Sequence, residues 1–218
     1  MLNWAAKRVK DLEKEELCGF IFKSNSPSSG MERVRVYGES GMPAKTGVGL
    51  FARAFVEHFP LIPVEEDGRL HDPRLRENFI ERIFALKRWR ELRSQNNRLG
   101  RLVEFHTLNK LLLLAHSEKH YRLMGKLVAH GKEAPIGELY RDYEKLFMEA
   151  LRLKTTIRKH TNVIQHMMGY FKKQLSSDEK QEILEIIQQY RQGYVPLIVP
   201  VTLIKHFVRK YQQPYLKN

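Results

Sequence analysis

A chain of 218 residues with 42% hydrophobic side chains can bury a core, and 38 Lys/Arg against 25 Asp/Glu leave a net charge of +13. The longest apolar runs, Leu111 to Ala115 and Pro196 to Ile204, fall short of the ~20 residues a membrane-spanning helix needs, and one cysteine, Cys18, excludes an internal disulfide framework. The charge is unevenly placed: residues 1–72 hold 10 Lys/Arg against 11 Asp/Glu, and residues 73–218 hold 28 against 14. That asymmetry predicts two modules, the second facing a polyanion; the plainer reading is an ordinary basic, solvated surface.

The first element, Trp4 to Glu16, reads as an amphipathic helix without the apolar core of a signal peptide, so the protein is expected to be cytoplasmic and soluble. "CGFIFK" follows as a short apolar strand, "RVRVY" as an alternating one, "GVGLFARAFVEHF" as a helix and "LIPV" as another short apolar run. Helices interleaved with buried strands predict an α/β layer with a largely parallel sheet. Three short strands make an incomplete sheet, so this module looks like the back half of a larger one.

"GRLHDP" closes that module, with Asp72 an N-cap and Pro73 a first helical residue, where a missing N–H costs nothing. The long charged helix that begins there places Phe79, Ile83 and Leu86 on one face and ends at "SQNNRLG". Everything after Arg98 reads as helix. Leu102 to His116 is apolar on all sides in "LNKLLLLAH", as a helix buried inside a bundle would be. In "SSDEKQEILEIIQQYRQG", Ser176 and Glu179 form a capping box, Ile183, Ile186, Ile187 and Tyr190 recur at helical spacing, and Gly193 stands past the end. Pro196 and Pro200 precede a last helix through "VTLIKHFVRKY". The expected class is therefore a partial α/β layer followed by an all-α helical bundle, with segments 1–72, 73–97 (a connecting helix) and 98–218.

Several motifs raise sharper chemistry than they can carry. His116 and His120 stand four apart, as two ligands on one helix face would, but Ser117 between them reads as an N-cap that breaks the helix. His71-Asp72 is a lone His-Asp pair, and capping already explains Asp72. "GESGMPAKTG" matches a phosphate-binding loop only at Lys45-Thr46, because Glu39 and Ala44 occupy positions where side chains obstruct the backbone cradle. No Gly-x-Ser-x-Gly is present, and Ser28 or Ser29 as a nucleophile lacks a placed base. Basic and aromatic residues interleave in "HMMGYFKKQ" and "KHFVRKYQQPY", the pairing that single-stranded RNA recognition uses. An amphipathic helix that buries Phe171 and Phe207 would look the same. Lys110, Lys172, Lys173, Arg209 and Lys210 are the candidate phosphate contacts.

One stretch resists an ordinary turn reading: "FKSNSPSSGMERVRVY" sets Ser-Pro-Ser-Ser-Gly directly after a strand, more small residues than a turn needs. The segment from "LCGFIFKSNSPSSG" through "RENFIERIF" resembles the C-terminal half of the thiouracil desulfidase (TudS-like) domain. "LVEFHTLNKLLLLAHSEKHYRLMGKLVAH" and "HTNVIQHMMGYFKKQLSSDEKQEILEIIQQYRQGYVPLIVPVTLIKHFVRKY" resemble the YbgA-type helical domain. Their order is similar to the fused RudS-type proteins, which remove sulfur from 4-thiouridine in tRNA.

The resemblance implies a [4Fe-4S] cluster held by three cysteine thiolates, with one iron open to the substrate sulfur. It places the third cysteine in Ser-Pro-Ser-Cys-Gly, which here is Ser26-Pro27-Ser28-Ser29-Gly30, and the first two in motifs this sequence lacks. Ser26, Ser28, Ser29 and Gly30 thus become the candidate site loop, with Ser29 at the ligand position and no metal ligand of the family set in this chain. Cys18 is expected to be a buried structural cysteine, nearly 20 Å from the loop if an extended strand at ~3.3 Å per residue separates them.

The expectations are then an enzyme piece, inactive by itself, whose missing N-terminal segment or partner chain supplies the cysteines, and which does not hold the cluster alone. Its expected partner is tRNA or another nucleic acid, and not a membrane. The alternatives are a cluster-free nucleic-acid-binding or scaffold protein, and an interaction module for an acidic protein partner.

Overall fold

The computed structural model describes residues 2–38 and 41–217 and divides into two compact units, residues 1–96 and 97–218. Glu39, one of the two side chains that argue against a phosphate loop, lies outside the described residues.

The first unit opens with helix α1 (Leu2–Leu12), whose Ala5, Val9 and Leu12 recur at helical spacing and are buried. A short 3-10 turn follows, and Glu16 enters the left-handed region (φ 48°), which swings the chain into strand β1 (Phe20–Phe22). Strand β2 (Val34–Tyr37), strand β3 (Pro43–Gly47), helix α2 (Leu50–His58), strand β4 (Val64–Glu66) and helix α3 (Pro73–Arg93) complete it. β1 pairs in parallel with β4, in register Phe20 to Val64 through Phe22 to Glu66. Helix α2 crosses between them and lays Phe51 and Phe55 on Phe20 and Phe22, with ring centroids 4.4 Å apart for Phe20 and Phe55. Four aromatic rings therefore form the centre of a very small core.

The partial α/β layer is as the alternation of elements predicts, but only the β1–β4 pairing is parallel. β2 joins an antiparallel hairpin with β3, a strand the sequence conceals because it starts on proline, ends on glycine and has one β-branched residue. Lys45 sits in this strand opposite Arg35, which removes it from any phosphate-cradling loop. Asp72 caps α3, its carboxylate accepting from the N–H groups of Arg74 and Leu75, with Pro73 in the first position. Phe79, Ala85, Leu86 and Trp89 of α3 are buried, and a Cβ on Gly19 would come within 2.6 Å of Ile83, so this helix packs closely over the approach to β1.

The second unit is helical: α4 (Leu99–Leu108), α5 (Lys110–His116), α6 (Glu118–Ala129), α7 (Ile136–Arg152), α8 (Ile157–Gly169), α9 (Ser177–Gln192) and α10 (Ile198–Lys210). The apolar stretch from Leu102 to His116 is two helices rather than one. They part at Asn109, whose backbone N–H closes α4 on the Phe105 carbonyl (3.0 Å) while its side-chain amide donates to the same carbonyl (2.8 Å). Ser117, Thr156 and Ser176 each cap the helix that follows, and Ser176 forms the full capping box with Glu179. Gly193 closes α9 at φ 80°, a conformation only glycine adopts without strain. Tyr140, Tyr143 and Phe147 of α7 are wholly buried, and Phe171, Ile183, Ile187, Ile204 and Phe207 form a second cluster beneath α8, α9 and α10.

Candidate functional site

The Ser26–Gly30 turn follows β1, and Glu66 and Asp67 follow or end β4, so both stand at the carboxyl ends of the two parallel strands. Open α/β sheets place their ligands there. Ser26 organises the turn: its hydroxyl accepts from the N–H groups of Ser28 (3.3 Å) and Ser29 (3.2 Å), and its carbonyl accepts from Gly30 at 2.8 Å. The Ser28 carbonyl then accepts from Phe51 (2.8 Å) and Ala52 (3.2 Å), and the Gly30 carbonyl from Gly49 at 2.7 Å. These bonds cap the start of α2. The turn and the helix are locked together through glycines, since a Cβ on Gly49 would run into the Ser28 carbonyl and lie 2.7 Å from the Ser29 nitrogen.

The carboxylates are drawn into the same closure. Glu66, 6% exposed, accepts from the Met31 N–H at 2.6 Å. Asp67 accepts from the Ser24 hydroxyl (2.7 Å), the Ser24 N–H (2.9 Å) and the Gly68 N–H (2.7 Å), and these bonds, led by the hydroxyl, lower its pKa to about 2. The N–H groups of Ser28, Ser29, Gly30 and Met31 are all taken up inside the unit. Among the described residues no hydrogen bond involves the hydroxyls of Ser28 and Ser29, both half-buried, so these are what the loop retains for a ligand.

The donor set does not fit a three-thiolate cluster. Ser29 offers a hard, undissociated hydroxyl where the resemblance implies a thiolate, and no group of three His, Cys, Asp or Glu among the described residues could hold a metal. Cys18 stands two residues before β1 begins, at the opposite end of that strand from the loop. It is only partly covered rather than buried, because the left-handed turn at Glu16 leaves it in a connection, with its sulfur 3.7 Å from the Glu16 carbonyl and 3.9 Å from Arg90 Nη1.

In the helical unit an aromatic stack links the chain segments that carry the five candidate phosphate contacts. Tyr170 and Tyr215 lie 4.9 Å apart and nearly parallel, the Tyr215 hydroxyl donates to the Thr107 carbonyl (2.7 Å), and the Gln213 amide donates to the Tyr170 carbonyl (3.2 Å). These contacts bring together the α4–α5 junction before Lys110, the turn bearing Lys172 and Lys173, and the end of α10 bearing Arg209 and Lys210. Lys172, Lys173 and Arg209 are exposed; Lys110 is half-buried. Lys210 is engaged, 2.6 Å from Glu179 and 5.4 Å over the Tyr211 ring. Glu179 also accepts from the Tyr211 hydroxyl and the Ser176 N–H, and this set, with Lys210 first, lowers its pKa to about 2.

His106, His116, His120 and His160 are engaged within the helical unit. His116 Nδ1 donates to the Leu153 carbonyl (2.6 Å), His120 bonds the Ser117 cap (2.8 Å), and His160 bonds the Tyr190 hydroxyl (2.8 Å). His106 stacks on Tyr121 and bonds Tyr143, and burial holds its pKa below the usual value. His116 and His120 are separated by the break that Ser117 imposes.

Residues 110–218, half of the chain, match the family described as protein of unknown function (DUF1722). The chain is also 33% identical over 146 residues to a protein of Escherichia coli (strain K12) named "Uncharacterized protein YbgA", covering 66% of this chain and 86% of that protein. The chain belongs to the YbgA-like DUF1722 family. Residues 1–67 match the family described as 2-thiouracil desulfurase, so this YbgA-like protein joins a desulfurase-like segment to its helical unit. No solved structure gives a significant match. Among the described residues no helix is long and apolar enough to cross a membrane.

Proposed function

We propose that this protein serves a tRNA-desulfurizing reaction by holding the RNA, and that it does not carry the sulfur-accepting cluster alone. The observation that supports this most is that the Tyr170–Tyr215 stack joins the segments that carry Lys110, Lys172, Lys173 and Arg209. Cations there meet phosphates, and the aromatic faces favour unstacked bases. Residues 97–218 contain 21 Lys/Arg against 11 Asp/Glu, which favours a polyanion at long range. In the α/β unit, the Ser28 and Ser29 hydroxyls at the strand ends are assigned to a thiolated base, such as 4-thiouridine, as hydrogen-bonding groups. The thiolates that cluster chemistry requires are assigned to residues outside this chain, because Ser29 and the remote Cys18 cannot supply them.

Binding of tRNA, followed by fluorescence anisotropy across a salt series, tests the reading. The full chain binds tRNA, its affinity falls steeply with salt as counterions are released, and Lys172→Gln with Lys173→Gln weakens it roughly 10-fold with a shallower salt dependence. An acidic protein that displaced tRNA mole for mole would move the assignment to a protein partner. The second reading, a cluster-free RNA-binding scaffold, rests on the same surface and differs in one outcome. It predicts that thiolated tRNA keeps its sulfur even when cysteine-bearing chains of the desulfurase family are added.

A further inference from the structure

Helix α8 carries a second feature, at the opposite end from Lys172 and Lys173. Arg158, Thr161, Asn162 and Gln165 recur at spacings of three and four and share one face of the helix. The His160–Tyr190 hydrogen bond ties the start of α8 to the end of α9, so these residues meet Arg191 from the last turn of α9. Together with Ile157 they line a cleft of about 540 Å³, a size that suits a small ligand or one nucleotide of a chain. Two arginines and two amide residues line this cleft, and its lining contains no carboxylate.

Nothing nearby in the sequence neutralises it. Residues 150–177 contain no Asp or Glu while holding Arg152, Lys154, Arg158, Lys159, Lys172 and Lys173, and residues 186–218 contain none either. Neither Arg158 nor Arg191 has a carboxylate partner among the described residues, whereas the basic residues that serve the fold do have partners: Lys159 donates to the His116 carbonyl and Lys210 binds Glu179. Thr161 belongs to the wall of the cleft. It is 6% exposed, lines the cleft, and its Oγ1 has no hydrogen-bond partner, although a helical threonine commonly returns its hydroxyl to the preceding turn. That oxygen is itself closed off from solvent, so Thr161 shapes the wall of the cleft and the ligand contacts fall to the exposed arginines and amides.

We propose that the α8–α9 cleft is an RNA subsite in which Arg158 and Arg191 clamp one backbone phosphate and Asn162 and Gln165 bond the attached ribose hydroxyl or base edge. The proposal rests on the RNA-holding reading and extends it to a second position, since α8 places its two ends ~18 Å apart. Arginine suits this role because its planar fork grips phosphate in two bonds. Amides suit the sugar and base because they both donate and accept, and the 2′-hydroxyl does the same.

The test uses the full chain and tRNA in the same salt series, with Arg158→Gln/Arg191→Gln, Asn162→Asp and, as reference, Lys172→Gln/Lys173→Gln; adenosine monophosphate and inorganic phosphate serve as competitors. Both arginines are exposed, so the arginine variant is expected to melt as the parent does, and each arginine replaced singly provides a milder form. Expected are a roughly 10- to 100-fold weaker affinity and a log–log salt slope reduced by about 0.7 for the arginine variant, as the loss of one phosphate contact implies, with loss also from the carboxylate in Asn162→Asp. Competition by adenosine monophosphate that disappears in the arginine variant supports a nucleotide-shaped site. Displacement by inorganic phosphate alone, at the same concentration, would reduce the cleft to a plain anion site and overturn the amide contacts. Tight tRNA binding with unchanged slope in the arginine variant would overturn the cleft while leaving the RNA-holding reading intact. No tRNA binding by the parent chain would overturn that reading and the cleft together.

Discussion

The two units treat their polar groups in opposite ways. In the α/β unit nearly every group at the carboxyl end of the strands is used on the protein itself: Ser26 folds its own turn, Ser28 and Gly30 cap α2, and Glu66 and Asp67 bind backbone N–H groups. In the helical unit cations outnumber carboxylates, and Arg158 and Arg191 have no carboxylate partner among the described residues. The contrast teaches where recognition resides. A loop that satisfies itself keeps its shape without a ligand, whereas Arg158 and Arg191 across a cleft have nothing to bind unless a ligand arrives.

The comparison can be broken in order of expected effect. Phe171 is fully buried in the cluster beneath α8, α9 and α10. Phe171→Ala is expected to cost about 4 kcal/mol and to loosen the helical unit, including the turn that carries Lys172 and Lys173. Urea unfolding followed by circular dichroism reads the cost. A loss under 1 kcal/mol would mean the cluster can collapse around the gap.

Gly49→Ala strikes the other unit. Its Cβ meets backbone rather than a flexible side chain, so the loop must separate from α2, with a cost of about 3 kcal/mol. Tryptophan fluorescence of Trp4 and Trp89, which both lie in this unit, reports it separately from the helical unit. Unchanged stability would show that the Ser26–Gly30 turn is not clamped to the helix.

Smaller and paired are the caps. Asp72→Ala and Ser176→Ala should each cost about 1 kcal/mol, the first in the α/β unit and the second in the helical unit. Ser176→Ala also removes the hydroxyl that accepts from the Glu179 N–H, which loosens the turn that positions Glu179, and hence its grip on Lys210. If Ser176→Ala changed tRNA affinity as well, Lys210 would have been wrongly set apart from the phosphate contacts.

The gentlest probe is acid. Asp67 and Glu179 both have folded-state pKa values of about 2, below the ordinary carboxylate range near 4. Depressed values mean that their stabilisation is complete above about pH 4 and is lost as the pH falls toward 2. Asp67→Asn should flatten that acid limb for the α/β unit alone and Glu179→Gln for the helical unit alone, in melting curves taken between pH 5 and 2. A limb unaltered by either variant would show that the hydroxyl and lysine bonds do not hold these carboxylates charged.

Much of the fold was legible in the residues. The periodicity of Ala5, Val9 and Leu12, the Asp72-Pro73 start, the Ser176 capping box and Gly193 each act within one turn of chain, and each appears where its local chemistry requires. β3 was hidden because its strand character comes from its partner: Pro43 to Gly47 has weak β propensity and is extended through pairing with β2. The break at Asn109 was hidden for a related reason, since apolar composition reports burial and not where one helix ends and the next begins. The candidate loop was visible as an excess of small residues, but its inward closure was not, because it depends on Gly49, nineteen residues after Gly30.

By itself, the sequence determined the things that short range decides: two modules of different charge, the helix boundaries with strong caps, one cysteine, and serine at the position where the resembled family implies a thiolate. Only the tertiary structure decided which polar groups are already occupied. It assigned His106, His116, His120 and His160 to a carbonyl and hydroxyls, Lys210 to Glu179 and the N–H groups of Ser28, Ser29 and Gly30 to Ser26, and it set Arg158 and Arg191 along one cleft. The physical reason is that hydrogen bonding is settled by position in space. Residues 158 and 191 are separated by most of two helices in the chain and meet because antiparallel packing of α8 and α9 folds one back on the other.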